Sequence, residues 1–419
     1  MLSHYGSEPQ KSAFERVLAE WNADPRRVRV VSIAVRYADL LTTAMVRQAA
    51  GQGADILHPY ALWTGQLVRA GVLRPAPPAV SAEIRRAFSG SAVAAATVDG
   101  ALYGCPTEVQ TYALYCNMRL LRAAGVLRPP RTWAELEDTA YRCAARDRHG
   151  NSLVQGFGLS RVEDATVVGQ TLALLASAGA SARTSGLHAS GGRTTVDSPA
   201  LRAVLGLEKR LIDRGASSPG TSLYKEFPSG RVAMAINGGW WTGSLRRTMG
   251  DAYRDVTVVP VPGPTTAGTG TTTTSFLLGV NAACPRPEAA WEFLRWLSLR
   301  PAPAPGARSG ARAAVRAPET PMTPMTPVTR MSALQVSVGS MTAHRRDMEV
   351  LLGAADDPRV RPFLDALHYA SAEPGGPYAQ RTKSVLRKNI EEVWAGRRGV
   401  ESALRTAQRQ IDREAARHT

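Results

Sequence analysis

The stretch Asp99–Leu121, DGALYGCPTEVQTYALYCNMRLL, decides how the rest of the chain is read. It opens on a Gly-containing turn and a short apolar edge, Leu102-Tyr103-Gly104. Pro106-Thr107-Glu108 then break the pattern and expose a carboxylate. An apolar, β-favouring run resumes from Thr111 to Cys116, and after Asn117 a helical pattern covers Met118–Ala124. Proline is tolerated at strand starts and edges but not inside a ladder. A Pro and a lone Glu between two strand-like runs therefore mark a chain passing from one structural unit to another. A carboxylate at such a crossing faces whatever lies between the units. The alternative is an ordinary hairpin with a solvated Glu.

At 419 residues the chain exceeds one ordinary core and calls for two domains, or two lobes of an interwoven pair. Its composition, 44% hydrophobic and 21% charged, is that of a globular protein, and no uninterrupted apolar run reaches the ~18 residues a membrane span needs. Net charge is +16, and only Lys11, Lys209, Lys225, Lys383 and Lys388 among the 51 basic residues are lysine. Arginine therefore carries the charge. That could signal a polyanion partner. The arginines are spread along the chain, however, thickening only after Arg295 and without a nucleic-acid motif, which fits solvated faces better. The four cysteines (Cys105, Cys116, Cys143, Cys284) form no C-x-x-C pair and have no His at ligand spacing, so no metal site is expected.

Near the start, Glu8–Asn22 sets Phe14, Val17, Leu18 and Trp21 at helical spacing, and Arg29–Val35 reads as a buried strand. Tyr37–Gly51 is a second helix, with Leu40, Leu41, Ala44 and Met45 inward. Ala54–His58 is a short strand that delivers Pro59, Tyr60 and Trp63 to a loop. Strand, helix, strand, helix at this spacing indicates a parallel, doubly wound sheet, whose ligands sit beyond the carboxyl ends of the strands. Tyr60 and Trp63 are either at that position or helix-packing aromatics. Farther on, Thr132-Trp133-Ala134-Glu135 is a capping box, and Asp197-Ser198-Pro199 starts a helix over Ala200–Asp213. Ser181–Val196, rich in Gly and Ser, reads as a surface hairpin.

Phe227–Trp241 (FPSGRVAMAINGGWW) is a turn, an apolar strand, then glycines and two tryptophans. Indoles suit the apolar face of a pyranose ring. Two adjacent ones cannot point the same way, so one is expected buried and one presented. Thr265–Thr274 lacks the Gly-Lys-Ser/Thr ending of a phosphate loop, and no cofactor motif is present. Ser275–Asn281 is a strand, and Pro287–Leu299 a helix. Arg300–Arg330, with Met-Thr-Pro repeated at Met322 and Met325, reads as a linker or loose loop, and two helices close the chain from Gln380 to Arg417.

These segments resemble the extracellular solute-binding proteins of sugar-importing ABC transporters. The matching residues are Phe227…Ser229-Gly230…Ala233-Met234…Ile236-Asn237-Gly238…Trp240 and Gly279-Val280-Asn281…Glu288-Ala289-Ala290…Phe293-Leu294, in register with Gln10–Asn22, Ala54–Leu73, Asp99–Leu121, Pro130–Leu136 and Pro377–Ile411. The resemblance implies a periplasmic-binding-protein-like II fold, with two doubly wound α/β lobes joined by a hinge and the ligand in the cleft. It divides the chain into 1–108 with 262–310, 111–260 with 311–380, and C-terminal helices 381–419 packing across the lobes. It also implies roles by position. Trp240 stacks on the sugar, and Glu108 accepts a hydroxyl. Tyr60, Trp63, His4 and Tyr5 contribute from the first lobe, Gly238 and Gly239 offer amides beside Trp241, Thr274 and Ser275 line the cleft, and Arg381 approaches the ligand.

Two departures from the family stand out. A secretion signal, commonly carrying a lipid-anchoring Cys, and a complete first strand ahead of His4 are both missing, so the expected start lies upstream. Gly310…Val315-Arg316 retains only part of the family's Gly-x-x-Pro-Val-Arg signature.

The function implied is capture of a mono- or oligosaccharide by a monomer that closes on it and docks on a membrane permease, outside the membrane and lipid-anchored. A phosphorylated polyol such as glycerol phosphate is the second ligand class, supported by the basic balance and Arg381. A cytoplasmic Arg-rich nucleic-acid-binding protein is the rival of another class. An enzyme is not expected: Ser160, His188 and His58 lack triad context, and a glycosidase needs two facing carboxylates where only Glu108 is evident.

Overall fold

The computed structural model describes residues 1–6, 8–161, 166–179, 195–220, 222–268, 270–302, 328–353, 357–373 and 378–416. The body of the expected hairpin at 181–196, the Pro-rich stretch with Met322 and Met325, the Gly310…Val315-Arg316 remnant and His188 lie outside those residues.

The chain divides into two compact units, Met1–Val109 with Ser275–Asp356, and Gln110–Thr274 with Asp357–Thr419. Its first two passages fall inside strands, Cys105–Asn117 and Thr272–Val280. Residues 262–274 thus belong to the second unit and 328–353 to the first, the reverse of the sequence-based division. The resemblance set those boundaries at turns, whereas the backbone passes along β-branched strand that carries no punctuation. Both C-terminal helices, Ala379–Trp394 and Val400–Ala416, belong to the second unit and pack on its helix Pro199–Asp213.

In the first unit, Leu2–Ser3 lies between Ile33–Ala34 and Ile56–Leu57, parallel to both. The amides of Ile33, Val35 and His58 donate to the carbonyls of Met1, Ser3 and Leu2 at 2.8–2.9 Å. The sequence reading expected a complete first strand to be missing, and only these two residues of one are present here. Two residues are enough to give the neighbouring strands their ladder bonds. Gly279 and Val280 extend the sheet antiparallel on the far side of Ile56–Leu57. Ile33–Ala34 is the sheet edge, so the expected buried strand at Arg29–Val35 is instead short and exposed, with Val31 60% accessible. Helix Gln10–Asn22 buries Phe14, Leu18 and Trp21. The Arg27 and Arg330 guanidiniums lie 4.4 Å from the Trp21 ring and 4.1 Å from the Trp296 ring, and Arg330 also binds Glu20 at 2.9 Å. Arginine here covers indole faces and pairs with acids.

In the second unit, the 112–117 part of the long strand is flanked by Val256–Val259 and Val232–Gly238, both antiparallel. Ser152–Phe157 adds to the latter in parallel. Strand alternation puts Tyr112, Leu114 and Cys116 on one face, in a core with Leu136, Leu172, Leu205, Ile390 and Leu404. Tyr115 on the opposite face meets Trp241 and Phe363. Caps form where the sequence places them: Thr132 accepts from the Glu135 amide, and Ser198 from the Leu201 amide. Glu135 reaches back one residue farther than a capping box requires, to the Arg131 amide at 2.7 Å. All four cysteines are buried thiols. Among the described residues no helix is long and apolar enough to cross a membrane, and no group of three or more metal-ligating side chains occurs.

Candidate ligand-binding site

The second unit builds its candidate group at the carboxyl end of Val232–Gly238, where helix Trp240–Met249 begins. Adjacent residues at a helix start point about 100° apart, and the two indoles separate accordingly. Trp241 is fully buried, with ring centroids 4.9 Å from both Tyr115 and Phe227. Trp240 is half-buried. It meets Tyr112 edge-on at 5.5 Å, and its Nε1–H donates to the Tyr224 hydroxyl at 3.2 Å.

Trp240's six-membered ring lies over Gly238 so closely that a Cβ there would sit 1.8 Å from it. Gly238 is therefore required for the indole's position. Gly238→Ala is expected to swing the ring aside at a cost of about 0.5–1.5 kcal/mol, visible as a changed near-ultraviolet circular dichroism band with nearly unchanged melting. The glycine amides themselves are engaged. Gly238 N–H donates to Asn237 Oδ1 at 2.8 Å, and Gly239 N–H to the Thr111 carbonyl at 3.3 Å. They do not offer the free donors expected of them, because the strand-to-helix turn consumes both.

Sequence reasoning missed Gln110. It shares a strand face with Tyr112 and is 3% exposed, yet neither Nε2 nor Oε1 has a hydrogen-bond partner among the described residues. Asn237 Nδ2 and Gln170 Oε1 are likewise unpartnered. Buried amides are normally satisfied, and each lapse costs about 1–3 kcal/mol. A polar residue alternating with tyrosine in an otherwise apolar run was the available signal.

The first unit gathers aromatic rings around Phe276. His4, Tyr60 and Tyr37 lie 4.4, 5.2 and 5.9 Å from it, and Trp63 stacks on Tyr37 at 5.5 Å. Tyr60 and Trp63 are buried, whereas His4, Tyr37 and Phe276 are half-buried. Tyr37 and Phe276 were not singled out from sequence, since each reads as ordinary helix or strand filling. His4 and His58 stack at 4.8 Å. Burial holds His4 down at about 4 and His58 well below its ordinary range, so both imidazoles are neutral surfaces near pH 7.

Glu108 is buried, not exposed or solvated as its sequence context indicates. Its Oε2 accepts from Gln335 Nε2 at 2.5 Å, Thr107 Oγ1 at 3.1 Å and Tyr5 Oη at 3.4 Å, and Gln335 also donates to Tyr5 Oη at 2.6 Å. His58 Nε2 completes the group, 3.0 Å from Thr107 Oγ1. Ser160 is buried in the second unit, whereas His58 belongs to the first. Thr274 and Ser275, also buried, straddle the second passage between the units. Arg381 lies exposed on the Ala379–Trp394 helix and is paired with Glu414 at 3.2 Å.

The family model described as bacterial extracellular solute-binding protein matches residues 5–302, and the chain belongs to that family. The maltotriose-binding protein of Pyrococcus abyssi (strain GE5 / Orsay) is 23% identical over 283 residues, 63% of this chain and 54% of that protein. The chain thus spans about half the length of the curated relative it matches. The GacH receptor of Streptomyces glaucescens GLA.O, solved unliganded and with acarbose and an acarbose homolog, has a TM-score of 0.78 at 19% identity over 100% of this chain and 98% of that one. An ABC transporter solute-binding protein of Thermotoga lettingae TMO bound with α-D-tagatose gives 0.77 at 17% identity, covering 99% and 98%. An ABC substrate-binding protein of Listeria monocytogenes in complex with cycloalternan gives 0.76 at 16%, covering 99% and 97%. The shared fold is the α/β fold of maltose-binding-protein-type periplasmic binding proteins. The family is one of binding proteins that work on the outer side of the membrane.

Proposed function

We propose that this protein is the substrate-binding component of an ABC importer and captures a neutral mono- or oligosaccharide. The observation that carries this reading is the half-buried Trp240, framed by Tyr112 and Tyr224, with the unused amide of Gln110 on the same strand face as Tyr112. A flat π-face takes the C–H side of a pyranose, and an amide with both ends available serves hydroxyls as donor and acceptor. Proteins of this fold bound to acarbose, cycloalternan and tagatose support a sugar as the ligand class. In this reading the protein works as a lipid-anchored monomer on the extracellular face of the cell membrane or in the periplasm, delivers its cargo to permease subunits and uses no cofactor or nucleic acid.

The phosphorylated-polyol reading leaned on Arg381. That guanidinium is committed to Glu414, which favours the neutral sugar. Arg381→Ala is expected to change stability by less than about 1 kcal/mol, as for exposed ion pairs, and to leave sugar binding intact in calorimetry. A thermal-shift screen over maltotriose, mannobiose, tagatose and glycerol 3-phosphate tests the function. A binding sugar at a hundred times its Kd adds roughly 2.7 kcal/mol of stability. Stabilisation by glycerol 3-phosphate alone, weakening with salt, would overturn the carbohydrate reading.

A further inference from the structure

Glu108 was expected to accept a hydrogen bond from the ligand, and its surroundings point the other way. All three donors converge on one oxygen, Oε2. Among the described residues nothing donates to Oε1. A carboxylic acid places its proton on the oxygen that receives no donors and keeps the other as the carbonyl acceptor.

Among the described residues no cation stands near enough to compensate an anion. Tyr5 and His4 face the group from the end of Leu2–Ser3, His58 from the end of Ile56–Leu57, and Gln335 and Met331 from helix Arg330–Ser337. All are uncharged at neutral pH, with Tyr5 pushed well above its ordinary range by burial. On the side of Thr342, which pairs with Glu108 in an isolated bridge, His344 and Asp347 face each other at 3.4 Å.

We propose that Glu108 is a neutral acid that presents an Oε1–H donor beside the His4, Tyr5 and His58 rings, and that this donor, not a carboxylate, engages an acceptor oxygen of the ligand. Burial is consistent with this, holding the carboxyl up at about 7 against the pull of its three donors. Affinity then has a pH dependence that an acceptor carboxylate would not produce. It holds at mildly acid pH and declines by up to tenfold per pH unit above about 7 as the proton leaves.

The ligand part of the inference rests on the carbohydrate reading, so the test has an arm free of it. Infrared difference spectra of ligand-free wild type against Glu108→Gln, recorded from pH 5.5 to 8.5, should show a protonated-carboxyl carbonyl band at the acid end that fades on alkalinisation. Gln335→Met, which removes the strongest donor to Oε2 at similar volume, should move that fading to higher pH, and it serves if Glu108→Gln fails to fold. The second arm is calorimetry with maltotriose. Wild type should weaken above pH 7, while Glu108→Gln, whose amide keeps an N–H where Oε1–H stood, should bind evenly across the range.

Absence of the acid-side band, or insensitivity of its titration to Gln335→Met, overturns the proposal. So does a flat wild-type affinity profile, or loss of maltotriose binding in Glu108→Gln at pH 6. If the band behaves as stated but neither maltotriose nor any screened sugar binds, the neutral acid stands and the carbohydrate reading falls.

Discussion

Trp241→Ala is expected to lower stability by about 3–5 kcal/mol, the range for deleting a large buried aromatic side chain, while Trp240→Ala costs less stability and weakens sugar binding roughly thirtyfold or more. The residues are neighbours in sequence and opposite in environment. Trp241 is 0% exposed and packed edge-on to Tyr115 and Tyr224 and tilted against Phe227. Removing it leaves a cavity that rigid strand and helix neighbours cannot fill. Trp240 has one edge on Tyr112 and one hydrogen bond to Tyr224. Its truncation removes less packing than that of Trp241, a partial contact with the core and the cover over Gly238, but deletes the ring that would meet a sugar, and truncating an aromatic anchor typically costs 2 kcal/mol or more of binding, roughly thirtyfold and upward. Chemical denaturation and calorimetry on the two variants check both halves. A Trp240→Ala protein that binds its sugar as wild type does would end the assignment of the stacking role.

The second large effect concerns Glu208, a fully buried carboxyl in the core of the second unit. Thr171 Oγ1 donates to its Oε1, and Trp394 Nε1 to its Oε2, each at 2.9 Å. Two neutral donors do not offset complete burial, so desolvation raises the carboxyl to about 7 from an ordinary 4.5. The folded protein therefore holds a proton that the unfolded chain has released. Its contribution to stability is fully present below about 4.5 and is lost as pH rises to about 7, amounting to about 3 kcal/mol. Glu108 adds a loss of the same sign over the same window. Glu208→Gln keeps an acceptor for Trp394 and an N–H for the Thr171 oxygen, and removes the titration. Denaturation midpoints at pH 5 and 8 should converge in the variant relative to wild type. Below pH 4.5 the other carboxylates act in the opposite sense. Glu137 and Asp357, held low by Arg210 and by the Arg359 amide with Arg246, lose their pairing as they protonate. The difference between variant and wild type, not the wild-type profile alone, isolates Glu208.

The α/β class, the helices with their caps at Thr132 and Ser198, and the strand leading to paired tryptophans were legible from the chain, because each rests on short-range chemistry. Periodicity of 3.6 or 2, a hydroxyl three residues before an amide, and two adjacent side chains that cannot share a direction are all properties of a few consecutive residues. Sequence alone thus determined that one indole had to be presented and one buried, and that the chain passes between two bodies near Glu108.

Tertiary structure decided the rest, because it depends on what distant segments bring to each atom. The glycine amides at 238 and 239 are spent on Asn237 and Thr111, and Arg381 on Glu414. Gln110 is left unpartnered. Glu108 is buried rather than solvated, and its Oε2 is taken by Tyr5, more than a hundred positions upstream, and Gln335, more than two hundred downstream. No local pattern encodes those partners. Desolvation and hydrogen-bond satisfaction are set by the summed neighbourhood of a group, and that neighbourhood exists only once the chain has folded.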